Sequence, residues 1–210
     1  MQSPDQGQLP FPPYAQLLDF FEGPLARALL EWVLANRDRF QASGVSGEKR
    51  LDLAVRSSLT FGDLGPYRDP IEATLRARAK HLFQAAGLKV PGGFSFELEL
   101  VAHGHGAHFK PHRDIVVGPT RGPGTVDDRL LSGVYYFHRE PKAFSGGELR
   151  IYRMGSIEAP GEYREVQPMQ NSMVVFPPWA AHEVRPVSCP SGSFEDSRFA
   201  LNCWFCKAES

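Results

Sequence analysis

His112-Arg113-Asp114, His182 and Arg198 are the residues whose types and order could do chemistry in this chain. Two imidazoles and one carboxylate on one face of a metal leave coordination positions open, the arrangement that non-haem Fe(II) oxygenases need for a co-substrate and O2. Residues i and i+2 of a strand point the same way, so His112 and Asp114 can share a face, while the third ligand must come from a distant strand. Arg198 lies in a further strand-like stretch. Its planar guanidinium fork could hold a carboxylate bidentately and stay charged when buried.

His-x-Asp alone says little. With seven histidines in 210 residues, such a pair arises by chance in about half of chains of this size. Taken singly, His182 reads equally well as a satisfied core histidine, Asp114 as a turn former and Arg198 as a surface charge. Their placement in strand-like segments, in this order, favours a site.

These residues need a scaffold, and the composition allows one. A hydrophobic content of 42% over 210 residues can bury a single good core, so one domain is expected. Net charge is −1, which argues against a nucleic-acid partner held through phosphates. No run of about eighteen apolar residues exists, so no membrane span is expected. Met1 to Pro13 is polar and proline-rich, without the charged start and apolar centre of a secretory signal, and reads as a disordered lead-in. Three cysteines do not make a disulfide framework, and a cytoplasmic location follows. Cys203 and Cys206 match C-x-x-C, yet they sit in an apolar strand-like run with no second pair to complete a zinc site, which leaves little for a redox or zinc role. Oligomeric state is not readable from these features.

The chain divides into a helical front, 14–93, and a β-rich back, 94–206. Pro24 begins a helix in which Leu25, Ala28, Leu29, Trp32 and Val33 recur at helical spacing. A second helix has Asp69 as its cap, Pro70 in its first turn, Glu72 completing a capping-box-like pattern, and Gly87 at its end after Ile71, Leu75, Ala79 and Leu82. Both should cover one side of a sheet. From Phe94 the period becomes two: Phe94, Phe96, Leu98 and Leu100 alternate with Ser95, Glu97 and Glu99. Seven or eight short strands follow in all, ending with Arg198 to Phe205, and predict a jelly roll or related β-sandwich.

Six ordered blocks now carry a resemblance. They are Gly104 to Asp114 (GHGAHFKPHRD), Val134 to Phe137 (VYYF), Ser145 to Tyr152 (SGGELRIY), Asn171 to Pro177 (NSMVVFP), His182 to Val187 (HEVRPV) and Arg198 to Phe205 (RFALNCWF). The chain resembles the 2-oxoglutarate and Fe(II)-dependent oxygenases of the prolyl-4-hydroxylase-like group over roughly residues 94–206. Six blocks in order are far more specific than any one motif.

The resemblance implies a mainly β chain with flanking helices around a double-stranded β-helix, one catalytic domain over 14–210, with His112, Asp114 and His182 holding Fe(II) at its open end. It implies that Arg198 binds the distal carboxylate of 2-oxoglutarate. Arg185 competes for that role, but Trp204 follows Arg198 at the family spacing, and Ala200, Asn202 and Trp204 share its face. Tyr136 matches a tyrosine that contacts the same carboxylate in some members; core packing explains it as readily. Leu149, Asn202, Trp204 and His103 are further candidates to line the pocket. Gly146 and Gly147 read as geometric, allowing positive φ or close approach of another backbone, and Pro177 and Pro178 as a rigid turn that delivers His182.

His103 stands where many relatives carry a tyrosine, which leaves that tyrosine's contact open. His108 shares strand parity with His112, but four residues of strand span about 13 Å, too far for both to bind one metal easily. The segments 118–128 and 188–197 read as loops near the site, the first a substrate loop or an insertion, the second lining the mouth. The implied reaction consumes 2-oxoglutarate and O2, releases succinate and CO2, and hydroxylates a C–H bond without a side-chain acid or base; ascorbate is an expected stimulant. A peptidyl prolyl side chain is the first substrate expectation, and a free amino acid or small metabolite the second. A cupin-like metalloenzyme without 2-oxoglutarate is the rival reading, as is a binding domain that lost its chemistry.

Overall fold

The computed structural model describes residues 9–43, 52–115, 128–155, 157 and 161–208. In chain order the front carries β1 (Ala15–Leu17), α1 (Gly23–Ala35), β2 (Gln41–Ala42), β3 (Arg56–Ser57), β4 (Leu59–Phe61) and α2 (Arg68–Ala85). The back carries β5 (Phe94–His103), β6 (His108–His112), β7 (Arg129–Phe137), β8 (Ser145–Gly146), β9 (Leu149–Tyr152), β10 (Tyr163–Val166) and β11 (Ser172–Phe176). It ends with β12 (His182–Val184), β13 (Val187–Ser188) and β14 (Arg198–Lys207).

Alternation along the long strands decides which residue faces which layer. On β14, Phe199, Leu201, Cys203 and Phe205 join a core with Leu29 and Val33 of α1 and Ile71, Leu75, Ala79 and Leu82 of α2. The same core takes Leu98 and Leu100 from β5 and Tyr135 and Phe137 from β7. The alternate residues, Tyr136 of β7 and Ala200 of β14, turn inward and meet Leu149, Ile151, Val174 and Phe176. The helices therefore cover one face of a major antiparallel sheet ordered β1-β11-β7-β14-β5-β4-β2. A minor sheet, β10-β9-β12-β6-β3, supplies the opposite wall. The two form the expected double-stranded β-helix. No described helix is long and apolar enough to cross a membrane.

Several local expectations need correction. Asp69 does not cap α2: the preceding residue is Tyr67, with no side-chain cap, and Asp69 lies in the first turn, where a carboxylate suits the helix dipole. Glu72 instead pairs with Arg68 at 3.6 Å and Arg76 at 3.7 Å. The far end behaves as read: Gly87 N–H donates to Gln84 O and Leu88 N–H to Phe83 O. The described part of the lead-in is anchored, because Arg153 Nη1 donates to Leu9 O at 2.7 Å and the Arg153 and Arg164 guanidiniums lie 4.4 and 4.9 Å from the Phe11 ring. Arg153 is an ordinary surface-strand residue by sequence, so nothing announced that contact.

Loop 188–197 does not line the mouth. Phe194 turns it onto the helix side of the major sheet, with ring centroids 5.2 Å from Phe40 and 5.3 Å from Phe199. Of the segment 118–128, only Asp128 is among the described residues. Cys203 and Cys206 are free. Three strand positions apart, they point to opposite faces, and burial raises both thiols, so the C-x-x-C pattern builds no dithiol site.

Candidate functional site

His112 and His182 sit directly opposite one another, on β6 and β12 of the minor sheet. A register irregularity follows, with His182 opposite His112 but Val184 opposite Phe109. That extra residue lets the Phe109 ring stack on His112 at 3.5 Å between centroids and 16° between planes. Each Nδ1 lies 2.9 Å from a backbone carbonyl, Lys110 O for His112 and Ala180 O for His182. A carbonyl only accepts, so each Nδ1 carries the proton and each Nε2 keeps its lone pair for a metal.

Asp114 departs from the expectation of a strand. It lies in a bend beyond the end of β6, because its N–H donates 3.0 Å to Pro178 O rather than to a ladder. Pro178 belongs to the turn that precedes His182, so one backbone bond ties the two ligand-bearing segments together. Arg113 helps from the other side, donating to Trp179 O and Gly155 O. The Ser132 hydroxyl donates to Asp114 Oδ2 at 2.6 Å. Oδ1 is left 3.8 Å from both His112 Nε2 and His182 Nε2. The three donor atoms all lie within 4.8 Å of one another, a spacing that can hold one ion.

Electrostatics suit a cation. Burial would raise the Asp114 carboxyl, but His182 and His112 beside it, with hydrogen bonds from Ser132 and Trp204, hold it below its usual value. Burial and the neighbouring His182 push His112 well below the ordinary imidazole value, so it is neutral and ready to ligate. Arg129 Nη1 donates 3.2 Å to the backbone carbonyl of Asp114 and lies 3.9 Å from its carboxylate Oδ1. Glu97 pairs with Arg129 at 2.8 Å, and the Trp204 ring lies 3.7 Å from its guanidinium carbon.

Arg198 is 1% exposed and reaches into the same pocket. Its Nη1 donates 3.1 Å to His103 Nδ1. Among the described residues its Nε and Nη2 are buried without a hydrogen-bond partner, and so is the Tyr136 hydroxyl. The Arg198 guanidinium carbon lies 4.6 Å from the Tyr136 ring centroid. Burial pulls Arg198 below its usual value, yet a guanidinium stays charged in a protein. Burial likewise raises Tyr136, so its hydroxyl keeps a proton to donate. Unpaired buried donors are rare, and each costs about 1–3 kcal/mol. Three converging here describe a cradle for a carboxylate.

Gly147 makes room for that cradle. Its φ is +72°, and a Cβ there would stand 2.6 Å from Arg198 Cδ and 2.9 Å from Val187 Cγ2. Its neighbour Gly146, φ +73°, would meet Pro186 O at 2.3 Å. Both expectations for this pair, positive φ and close approach, hold. Gly147→Ala is expected to destabilise the fold by about 1–3 kcal/mol through backbone strain and to displace Arg198. Thermal melting and a 2-oxoglutarate titration check the two effects, and a variant with parental values in both would contradict this account.

Every sequence-picked pocket residue reaches the pocket: Leu149, Asn202, Trp204 and His103 line it with His112, Asp114, His182, Tyr136 and Arg198. Arg185 does not; it is paired with Glu183 at 3.6 Å and its side chain is 40% exposed. His108 is also absent, held to Gly106 O and Ala54 O. Sequence reasoning missed Arg56, Phe109, Gly133, Val134 and Val184, which complete the lining. Val134 could have been read from its parity with Tyr136. Arg56, on a two-residue strand, had no such signal; it pairs with Glu99 at 3.2 Å.

Burial also makes the site sensitive to acid. His103 and His112 both titrate below the ordinary 6.5 in the folded chain. Below that value the unfolded chain takes up protons that the folded chain does not, so stability falls as pH falls. The expected slope is up to about 1.4 kcal/mol per pH unit for each group. Melting of the metal-free protein should be level just above pH 6.5 and drop below it; a flat profile to about pH 5 would remove this prediction.

A double-stranded β-helix whose open end gathers two imidazoles, a carboxylate and a buried arginine defines a class, the metal-dependent oxygenase fold. Residues 98–206 match the 2OG-Fe(II) oxygenase superfamily model, and the chain belongs to that superfamily. Its members use Fe(II), 2-oxoglutarate and O2. An uncharacterized PKHD-type hydroxylase of Synechocystis sp. is 39% identical over 115 residues, 53% of this chain and 36% of the relative. The match thus spans about a third of that relative's length.

Solved structures agree on the fold. A Pseudomonas putida prolyl-4-hydroxylase aligns with TM-score 0.66 and 22% identity over 93% of both chains. A Trichoplax adhaerens prolyl hydroxylase, in complex with a hypoxia inducible factor peptide fragment, gives 0.68 and 16% over 93% of this chain and 84% of that one. The viral collagen prolyl hydroxylase of Paramecium Bursaria Chlorella virus-1, as its 2OG complex, gives 0.59 and 14% over 94% and 97%.

Proposed function

We propose that this chain is an Fe(II)- and 2-oxoglutarate-dependent hydroxylase acting on a peptidyl prolyl side chain. The observation that carries the reading is the buried Arg198 with Nε and Nη2 unpaired beside the unpaired Tyr136 hydroxyl, in one pocket with the His112, Asp114 and His182 donors. Bound Fe(II), with 2-oxoglutarate and O2, supplies chemistry that turns a substrate C–H into C–OH while 2-oxoglutarate becomes succinate and CO2. The chain's own work is binding and orientation. His112, Asp114 and His182 would hold the ion through two nitrogens and one oxygen, with Ser132 and the Lys110 and Ala180 carbonyls fixing their orientation. Arg198 and Tyr136 would take the distal carboxylate. Leu149 and Val134 supply apolar wall and exclude water. No proton need be held by a side-chain acid or base.

The prolyl assignment draws on the named prolyl hydroxylases among the similar structures and on the apolar surfaces of Phe109, Val184 and Trp204 in the lining, which suit an uncharged ring. Ascorbate stimulation and a cytoplasmic location belong to the same proposal. The test is Fe(II)-dependent succinate release from 2-oxoglutarate with a panel of proline-containing peptides, read together with mass spectrometry of the peptides. Succinate coupled to one oxygen gained at proline supports the whole reading. Succinate without any peptide oxidation removes the prolyl assignment and leaves a free amino acid or small metabolite.

A further inference from the structure

His103 is the direct cross-strand partner of Arg198, on β5 and β14. It is 4% exposed and lines the pocket. The Arg198 guanidinium has only donors, so the 3.1 Å contact from Nη1 to His103 Nδ1 requires a lone pair on that nitrogen. The imidazole is therefore neutral, with its single ring proton on Nε2. Burial keeps it so first of all, and the Arg198 and Arg56 cations beside it act in the same direction.

An arginine buried to this depth ordinarily finds a carboxylate. An Asp or Glu at position 103 would make the stronger bond to Nη1. It would also cancel the charge of Arg198 before any ligand arrived. A neutral acceptor does something an acid cannot: it satisfies one edge of the guanidinium, fixes its plane, and leaves a full positive charge on the edge that carries unpaired Nε and Nη2.

We propose that His103 is a co-substrate-positioning residue, a neutral acceptor that orients Arg198 and preserves its charge for the distal carboxylate of a 2-oxo dicarboxylate. The proposal rests on the reading of Arg198 given above and goes beyond it, because it assigns the selectivity for a second carboxylate to the pair rather than to the arginine alone. It also separates affinity from stability. A purely structural acceptor would be improved by an acid at 103, whereas a positioning residue would be ruined by one.

The test is calorimetric titration of Mn(II)-loaded protein with 2-oxoglutarate and, separately, with 2-oxobutyrate, which lacks the distal carboxylate. His103→Asn places an amide oxygen near Nδ1, and His103→Asp places a charged one there. The expected result is 2-oxoglutarate affinity within several-fold of the parent for His103→Asn and at least about a hundredfold weaker for His103→Asp. That factor corresponds to about 2.7 kcal/mol. 2-Oxobutyrate should bind all three proteins alike, and His103→Asp should melt no lower than the parent.

Parental 2-oxoglutarate affinity in His103→Asp overturns the proposal while leaving the arginine's role intact. Equal losses for both oxo acids in His103→Asp also overturn it, because the effect would then not pass through the distal carboxylate. Failure of the parent itself to prefer 2-oxoglutarate over 2-oxobutyrate overturns both the proposal and the reading it rests on.

Discussion

Arg198→Met is expected to raise the 2-oxoglutarate concentration for half-saturation by about 30-fold to several thousandfold, from the roughly 2–5 kcal/mol lost when one partner of a buried charge pair is removed. The direction follows from the partners. Nε and Nη2 have no acceptor among the described residues, so a dicarboxylate is the group that would satisfy them. Stability should move the other way. In the free protein Arg198 is a buried cation whose hydrogen bond among the described residues goes to one neutral acceptor and whose guanidinium otherwise meets the Tyr136 ring, so a methionine of similar volume should melt at or above the parental temperature. Titration calorimetry with melting separates the two. Unchanged affinity in a folded Arg198→Met protein would place the carboxylate elsewhere.

The second large effect is on the metal. His182→Ala removes one of three donors and should weaken Mn(II) or Fe(II) binding by more than the roughly 10–100-fold typical of losing an outer partner, with succinate release lost alongside. Ser132→Ala supplies the comparison, because the Ser132 hydroxyl donates to Asp114 Oδ2 and its loss should fall within that smaller range. A His182→Ala protein that binds metal as well as Ser132→Ala would exclude His182 as a ligand. Both positions are buried, so melting temperatures must accompany the affinities.

How much of this was legible in the sequence depended on periodicity. Inward and outward positions on β5, β7 and β14 alternate, which is why Asn202 and Trp204 fall on the face of Arg198 by parity alone, whereas the choice of Tyr136 over Tyr135 on β7 came from the family resemblance. His112 and His182 were readable because each lies within a ladder. Asp114 lies with the two histidines as its order in the sequence suggests, but in a turn and not in a strand: that turn depends on Pro178, sixty-four residues away, and no local pattern encodes the bond. The Asp69 cap failed because the helix begins one residue before it, a shift within ordinary uncertainty at helix ends. Loop 188–197 was misplaced because Phe194 reads as an isolated apolar residue until Phe40 and Phe199 are seen beside it. The tie between Arg198 and His103 joins residues ninety-five apart. Their register, and not their spacing, brings them together.

The central claim is that one pocket holds a metal and 2-oxoglutarate at once. Anaerobic titration of Fe(II)-loaded protein with 2-oxoglutarate tests it directly, through the weak visible metal-to-ligand charge-transfer band that forms when a 2-oxo acid chelates ferrous iron. The account predicts a band that saturates at one 2-oxoglutarate per chain. Tight Fe(II) binding with no band at saturating 2-oxoglutarate would contradict it and favour a cupin-like metal site in its place.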